Sequence, residues 1–233
     1  MSAPAACNMT DKKRKKETLM IHVHHLEKSR STRVTWLLEE LGVDYEIIRY
    51  ARDPKTFSAP ASLKQIHPLG KSPVITDGEL TIAESGAIVE YLIETYGNGR
   101  LRPQSGQALL DYRFWLHFAE GSLMPLLVMR LVLAKTESAP MPFFIRPIAR
   151  KIVQSIEQAF IVPRLTTQLQ FIEQHLSKQE WFAGASLSGA DIQMAVPLVL
   201  AKTRLDFSHY PHIKQYIERI ESQPAFQRAL AQD

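Results

Sequence analysis

The stretch from His67 to Ser85 constrains this chain more than any other. It runs His67-Pro68-Leu69-Gly70-Lys71-Ser72-Pro73-Val74-Ile75, then Asp77-Gly78, then Leu80-Thr81-Ile82-Ala83 and Glu84-Ser85. Proline cannot donate to a β-ladder, so Pro73 marks the mouth of a strand rather than its middle. Its place after Gly70-Lys71 suits a tight turn with a cis bond. Ser72 would then turn its N–H and C=O outward, where an extended peptide can pair with them like one more rung of a sheet. Asp77-Gly78 between two strand-like runs predicts a tight hairpin. Ser85 is expected to cap the next helix, whose exposed N–H groups form a carboxylate site. A backbone clamp beside an anion clamp suits a small acidic peptide.

The pairing of Pro68-Leu69-Gly70-Lys71-Ser72-Pro73 with Glu84-Ser85 resembles the glutathione-binding signature of soluble glutathione S-transferases, and the resemblance extends over nearly all of residues 20–230. It implies that Ser72, held by Pro73, pairs its backbone with the cysteinyl unit of glutathione. It implies that Glu84 and Ser85 take the γ-glutamyl end, with Lys71 a candidate for the glycine carboxylate. His67 stands where the family often has asparagine and reads as a turn residue.

The chain divides near residue 100. Before it, strand and helix patterns alternate. Met20 to His25 is a short strand. Thr32 to Leu41 is an amphipathic helix with Val34, Leu37, Leu38 and Leu41 on one face, stopped by Gly42. Tyr45 to Tyr50 is a second strand, Pro60 to Ile66 allows a short helix, and a helix from Glu84 to Tyr96 follows the hairpin. That order predicts an α/β thioredoxin-like domain with a mixed four-stranded sheet over residues 19–99. After the linker Arg100 to Gly106 every pattern is helical, so residues 107–233 read as an all-helical domain. A helix from Gln107 to about Ala134 should kink at Pro125. Ser138 to Pro147 holds three prolines and reads as a loop. A second long helix, about Ile148 to His175, contains Pro163. Shorter helices start near Ser188, His209 and Gln223. Ser188-Gly189-Ala190-Asp191 fits a capping box, with Leu187 and Ile192 placed as its hydrophobic staple.

The first strand–helix junction, His25-Leu26-Glu27-Lys28-Ser29-Arg30-Ser31-Thr32-Arg33, should carry the chemistry. In thioredoxin relatives this loop holds a Cys-x-x-Cys at a helix N-terminus. Here it holds no cysteine, so the reacting thiol must belong to the ligand. A hydroxyl and the helix N-terminus can hold its thiolate. In serine-type members of the family the catalytic serine stands four residues before an arginine. That spacing selects Ser29, with Ser31 as runner-up and Arg30 assisting through its charge. Either serine could instead serve only as a helix cap.

The single cysteine, Cys7, excludes an intrachain disulfide and makes cytoplasm the default compartment. No unbroken apolar run reaches the eighteen or so residues that span a membrane. The net charge of +4 is concentrated in Asp11 to Glu17, whose five bases and two acids supply +3. Residues 1–18 therefore read as a disordered basic tail, and neither nucleic acid nor membrane is an expected partner. His22 and His24 share a strand face but lack a second ligand pair of zinc-type spacing. The family resemblance implies a homodimer that joins glutathione, its co-substrate, to an apolar electrophile, with no metal. It also leaves room for hydroperoxide reduction. Tyr112 and Trp115 are the candidates for the electrophile wall. The competing reading is a binding or regulatory protein that kept the fold and lost turnover.

Overall fold

The computed structural model describes residues 20–27, 29–56 and 58–232. The basic tail lies outside them.

The first half is built from β1 (Ile21–Leu26), α1 (Thr32–Leu41), β2 (Tyr45–Tyr50), α2 (Leu63–Ile66), β3 (Val74–Asp77), β4 (Leu80–Ala83) and α3 (Ser85–Tyr96). The four strands form one sheet in the order β2-β1-β3-β4. β1 runs parallel to β2 through the α1 crossover, and β3 and β4 are antiparallel. This is the mixed sheet of a thioredoxin-like domain. The hairpin turns at Asp77-Gly78, where Gly78 has φ 58°, a left-handed conformation that glycine adopts without penalty.

α1 is buried on more than the face its periodicity marks. Thr32, Thr35 and Trp36 are buried along with Val34, Leu37, Leu38 and Leu41. The sheet covers one side, while helices from the second half cover the other. Trp36 meets the Phe226 ring edge-on at 5.0 Å between centroids.

The second half comprises α4 (Gly106–Phe118), α5 (Met124–Glu137), α6 (Arg146–Ile156), α7 (Val162–Leu176), α8 (Gly189–Lys202), α9 (Pro211–Glu221) and α10 (Pro224–Leu230). The kink expected at Pro125 takes the form of a π turn, Ala119–Leu123, between α4 and α5, and a second π turn, Glu157–Ile161, precedes Pro163. In both, the residue just before the proline bonds five residues back, Met124 N–H to Ala119 O and Val162 N–H to Glu157 O. Proline lacks an N–H and its ring crowds the carbonyl one turn back, so a locally wider turn lets the helix pass through it.

The continuous helical stretch Gly106–Glu137 also reaches a mean hydropathy of 1.4 over its most apolar eighteen residues, enough by length and composition to cross a membrane. Counting unbroken apolar runs missed this, because Glu120, Gly121 and Ser122 interrupt the run without lowering its average enough. In the fold, α4 packs along α8.

The capping box at α8 forms. Asp191 accepts the Ser188 N–H at 2.9 Å, the Ser188 hydroxyl at 2.8 Å and the Phe182 N–H at 2.9 Å, with the Tyr216 hydroxyl at 3.3 Å. Gly189 sits where α8 meets both α3 and α4. A Cβ there would lie 2.6 Å from Ile93 Cδ1 and 2.9 Å from Val89 Cγ1 and the Tyr112 hydroxyl.

Candidate functional site

The sheet registers themselves assemble the site. β1 pairs with β3 so that His24 faces Val74, and β3 pairs with β4 so that Val74 faces Ala83. Extending each register by two residues sets Ser72 beside Leu26 on one side and beside Ser85 on the other. The loop after β1, the turn before β3 and the start of α3 therefore meet at one end of the sheet. A cleft opens there, lined by Arg30, His67, Leu69, Lys71, Ser72, Pro73, Ala83, Glu84, Ser85 and Glu120.

The Ser72–Pro73 peptide bond is cis. Ser72 has no backbone-to-backbone hydrogen bond among the described residues, so its N–H and C=O are available to an extended ligand. Its side chain is occupied. The Ser72 hydroxyl donates to the His24 carbonyl at 2.9 Å and accepts the Leu26 N–H at 3.2 Å, which pins the turn to the end of β1.

Glu84 is exposed and has φ 73°, ψ 123°. A non-glycine residue at positive φ is uncommon, and such backbone strain concentrates at binding sites. Ser85 does not cap α3 as its position in the sequence led us to expect. It is the first helical residue, Glu84 occupies the cap position, and no side chain there bonds a helix N–H. The unusual backbone at Glu84 starts the helix one residue early. Ser85 is almost fully buried, at the cleft wall. Lys71 is exposed at the rim, and His67 lines the cleft while its carbonyl accepts the Gly70 N–H of the turn.

Ser29 and Ser31 come together. Their hydroxyls are 2.7 Å apart, and Ser29 Oγ lies 3.2 Å from Ser72 Oγ. Ser31 is fully buried and bonds His25 Nδ1 at 2.8 Å. Ser31 is the N-cap residue of α1 by position but makes no side-chain cap bond. Of the two hydroxyls, Ser29 is the one with solvent access.

Arg33, four residues after Ser29, is fully buried. Its Nη1 donates to Glu120 at 2.6 Å and to Gln193. Burial pushes this guanidinium down from its ordinary pKa, and Glu120 opposes the shift. Glu120 also holds Arg30 at 3.3 Å. One carboxylate in the π turn thus ties the first loop and α1 to the helical half. Sequence reasoning missed Glu120. Its signal was a lone acid within an apolar helical stretch, whose partners only the fold supplies.

Tyr112 and Trp115 do not line the cleft. They are 0% and 1% exposed, and Trp115 packs among Phe114, Phe118, Phe171, His175 and Phe182. These two rings turn into the core, where they bury the most apolar surface, while Phe114 on the same helix stays exposed. Among the described residues, the helical half presents Glu120 to the cleft instead.

Residues 19–94 match the model of the glutathione S-transferase N-terminal domain, and residues 139–224 that of the C-terminal domain. The chain is 38% identical over 208 residues to "Glutathione S-transferase 3" of Schizosaccharomyces pombe, covering 88% of this chain and 85% of that protein. It is 36% identical over 217 residues to "Glutathione S-transferase 1" of Saccharomyces cerevisiae, covering 89% and 92%. A crystal structure of a glutathione S-transferase from Actinobacillus pleuropneumoniae superposes with a TM-score of 0.72 at 31% identity, over 91% of this chain and 92% of that one. A glutathione transferase of Phanerochaete chrysosporium, solved with oxidised glutathione, shares the fold with a TM-score of 0.71 at 20% identity, over 92% and 96%. With the cleft built from one end of the sheet, one helix start and one serine-bearing loop, and with both domain models matched in order along the chain, the chain belongs to the glutathione S-transferase family.

Proposed function

We propose that this protein is a glutathione transferase that binds glutathione in the cleft between Ser29, Ser72 and Ser85 and transfers its sulfur to an electrophile. The reading rests above all on one observation: Ser29 Oγ sits 3.2 Å from Ser72 Oγ, beside a backbone N–H and C=O that have no backbone partner among the described residues. A cysteinyl unit paired with Ser72 would bring its sulfur within reach of the Ser29 hydroxyl. Glu84 would take the ammonium of the γ-glutamyl end. The Ser85 hydroxyl and the start of α3 would take its carboxylate, and Lys71 the glycine carboxylate.

Ser29 then donates to the thiolate and lowers its pKa, as a preorganised donor does. The thiolate attacks the electrophile, a carbon–sulfur bond forms and the leaving group departs. Arg30 and Glu120 make the nearby wall polar, which favours an electrophile that carries a polar group on its apolar body. A hydroperoxide is a second class of acceptor for the same thiolate. The family carries with it a homodimer and a role in cytoplasmic detoxification.

The test is retention on immobilised glutathione, then turnover with a generic aryl halide and with an organic hydroperoxide. Retention with turnover supports the reading. Retention without turnover favours a regulatory protein on the same fold, and no retention removes the site assignment.

A further inference from the structure

The first loop contains a chain of hydroxyls that ends on a buried histidine. His25, 3% exposed, lies behind Ser31, which lies behind Ser29, which touches Ser72. A hydroxyl has one proton and two acceptor sites, so counting protons gives the chain a direction. Ser72 gives its proton to the His24 carbonyl and accepts the Leu26 N–H. Its contact with Ser29 must therefore be Ser29 donating. Ser29 Oγ in turn accepts the Ser31 backbone N–H at 3.2 Å, and its remaining site faces the Ser31 hydroxyl at 2.7 Å. Ser31 spends its proton there. Its 2.8 Å contact with His25 Nδ1 is then a bond in which Nδ1–H donates. Reversing the chain would turn the Ser29 proton inward and set lone pair against lone pair between Ser29 and Ser72.

We propose that His25 and Ser31 are positioning residues that fix the direction of the Ser29 proton. With two donors filling its acceptor sites, Ser29 Oγ can aim its own proton only out of the loop. It points at Ser72 while the cleft is empty and turns to the sulfur when glutathione enters. No proton travels along the chain; the thiol proton leaves to solvent. The chain keeps Ser29 a donor rather than an acceptor, the state that stabilises a thiolate. Among the described residues, the titratable and charged groups facing this corner include His25 behind it, Arg30 from the same loop, Glu120 from the helical half, and His67, Lys71 and Glu84 across the cleft.

This rests on the proposed glutathione chemistry, and the experiment has a readout free of it. In the wild-type protein at neutral pH, the nitrogen shifts of His25 by NMR should report a protonated Nδ1. A bare Nδ1 with Nε2 protonated would overturn the proposal whether or not glutathione binds. The second readout is the pH–rate profile with saturating glutathione and an aryl halide. His25→Leu should move the kinetic midpoint upward by about half to one pH unit, with the KM for glutathione changed less than about twofold, because the clamp is untouched. His25→Asn, whose amide N–H reaches close to the Nδ1 position, should restore most of the shift. An unmoved midpoint in folded His25→Leu, or an Asn variant no better than Leu, would show that His25 serves only to pack.

Discussion

The proposed complex gives Ser85 and Ser29 separable jobs at the residue scale. In the proposed complex Ser85 holds the ligand's charged end, so Ser85→Ala should remove a charge-assisted hydrogen bond of roughly 1.5–3 kcal/mol. That is about tenfold or more in glutathione affinity by calorimetric titration, and unchanged affinity in the folded variant would sink the clamp assignment. In the same proposed complex Ser29 donates to the sulfur. A free thiol with a pKa of about 8.5 is only a few per cent ionised at pH 7, and lowering that pKa by two units takes roughly 2.7 kcal/mol of preference for the thiolate. Ser29→Ala should therefore shift the pH–rate profile upward and cut turnover at neutral pH about ten- to a hundredfold, with binding little changed. If Ser31→Ala moved the profile more than Ser29→Ala, the two hydroxyls would have to exchange roles.

At the scale of the element, α8 shows how a cap and a core become one structure. Asp191 is fully buried, and burial lifts its pKa to about 6 against the pull of the Phe182 N–H and the Ser188 groups. The native state therefore holds a proton on Asp191 that the unfolded chain gives up near its ordinary value of 3.8. This group's contribution is greatest in acid and declines as pH rises from about 4 to about 6. Replacing it with Asn, which cannot titrate, should flatten the melting temperature against pH across that window, a comparison that calorimetry can make directly. Asp191→Ala should cost roughly 3 kcal/mol or more, since several buried donors lose their acceptor at once. Where α8 begins, Gly189→Ala should cost roughly 1–3 kcal/mol by overpacking against Ile93, Val89 and Tyr112, read as a lower denaturation midpoint with an unchanged slope.

Arg33 is one of the residues through which the two halves of the molecule meet. Removing Glu120 leaves that buried guanidinium with Gln193 as its remaining partner among the described residues, and breaking a buried pair in this way costs roughly 3–5 kcal/mol. Glu120→Leu should therefore lower the melting temperature more than Arg30→Leu, since Arg30 is partly exposed; equal losses would place the energy elsewhere. On the outer surface, the neighbouring rings of Phe143 and Phe144, and Ile148 and Ile152 one turn apart on α6, are exposed. Exposed apolar side chains of this size point to an interaction face, and this segment is the candidate for the proposed dimer contact, which needs roughly 800 Å² from each partner. Light scattering should find a dimer, and Ile148→Glu with Ile152→Glu should give monomers. A monomeric wild type would end the dimer proposal.

Local patterns in the sequence determined a good deal of this protein. The turn before Pro73, the hairpin at Asp77-Gly78, the span of α1 and the capping box at Ser188 rest on residues whose backbone preferences act over a few positions. The clamp candidates Lys71, Ser72, Pro73, Glu84 and Ser85 were legible for the same reason: all lie within one short stretch, and the fold brings them to one cleft. Tertiary structure alone decided what depended on distant partners. Tyr112 and Trp115 entered the core because α7 and α8 cover them, a matter of packing that a helical stripe cannot express. Thr35 and Trp36 were buried because the helical half closes over α1. Glu120 found Arg30 and Arg33 across the domain junction. The direction of the Ser29 proton was set by His25 and Ser72, neighbours supplied by a strand and by the β1–β3 register, and register exists only once the sheet has formed.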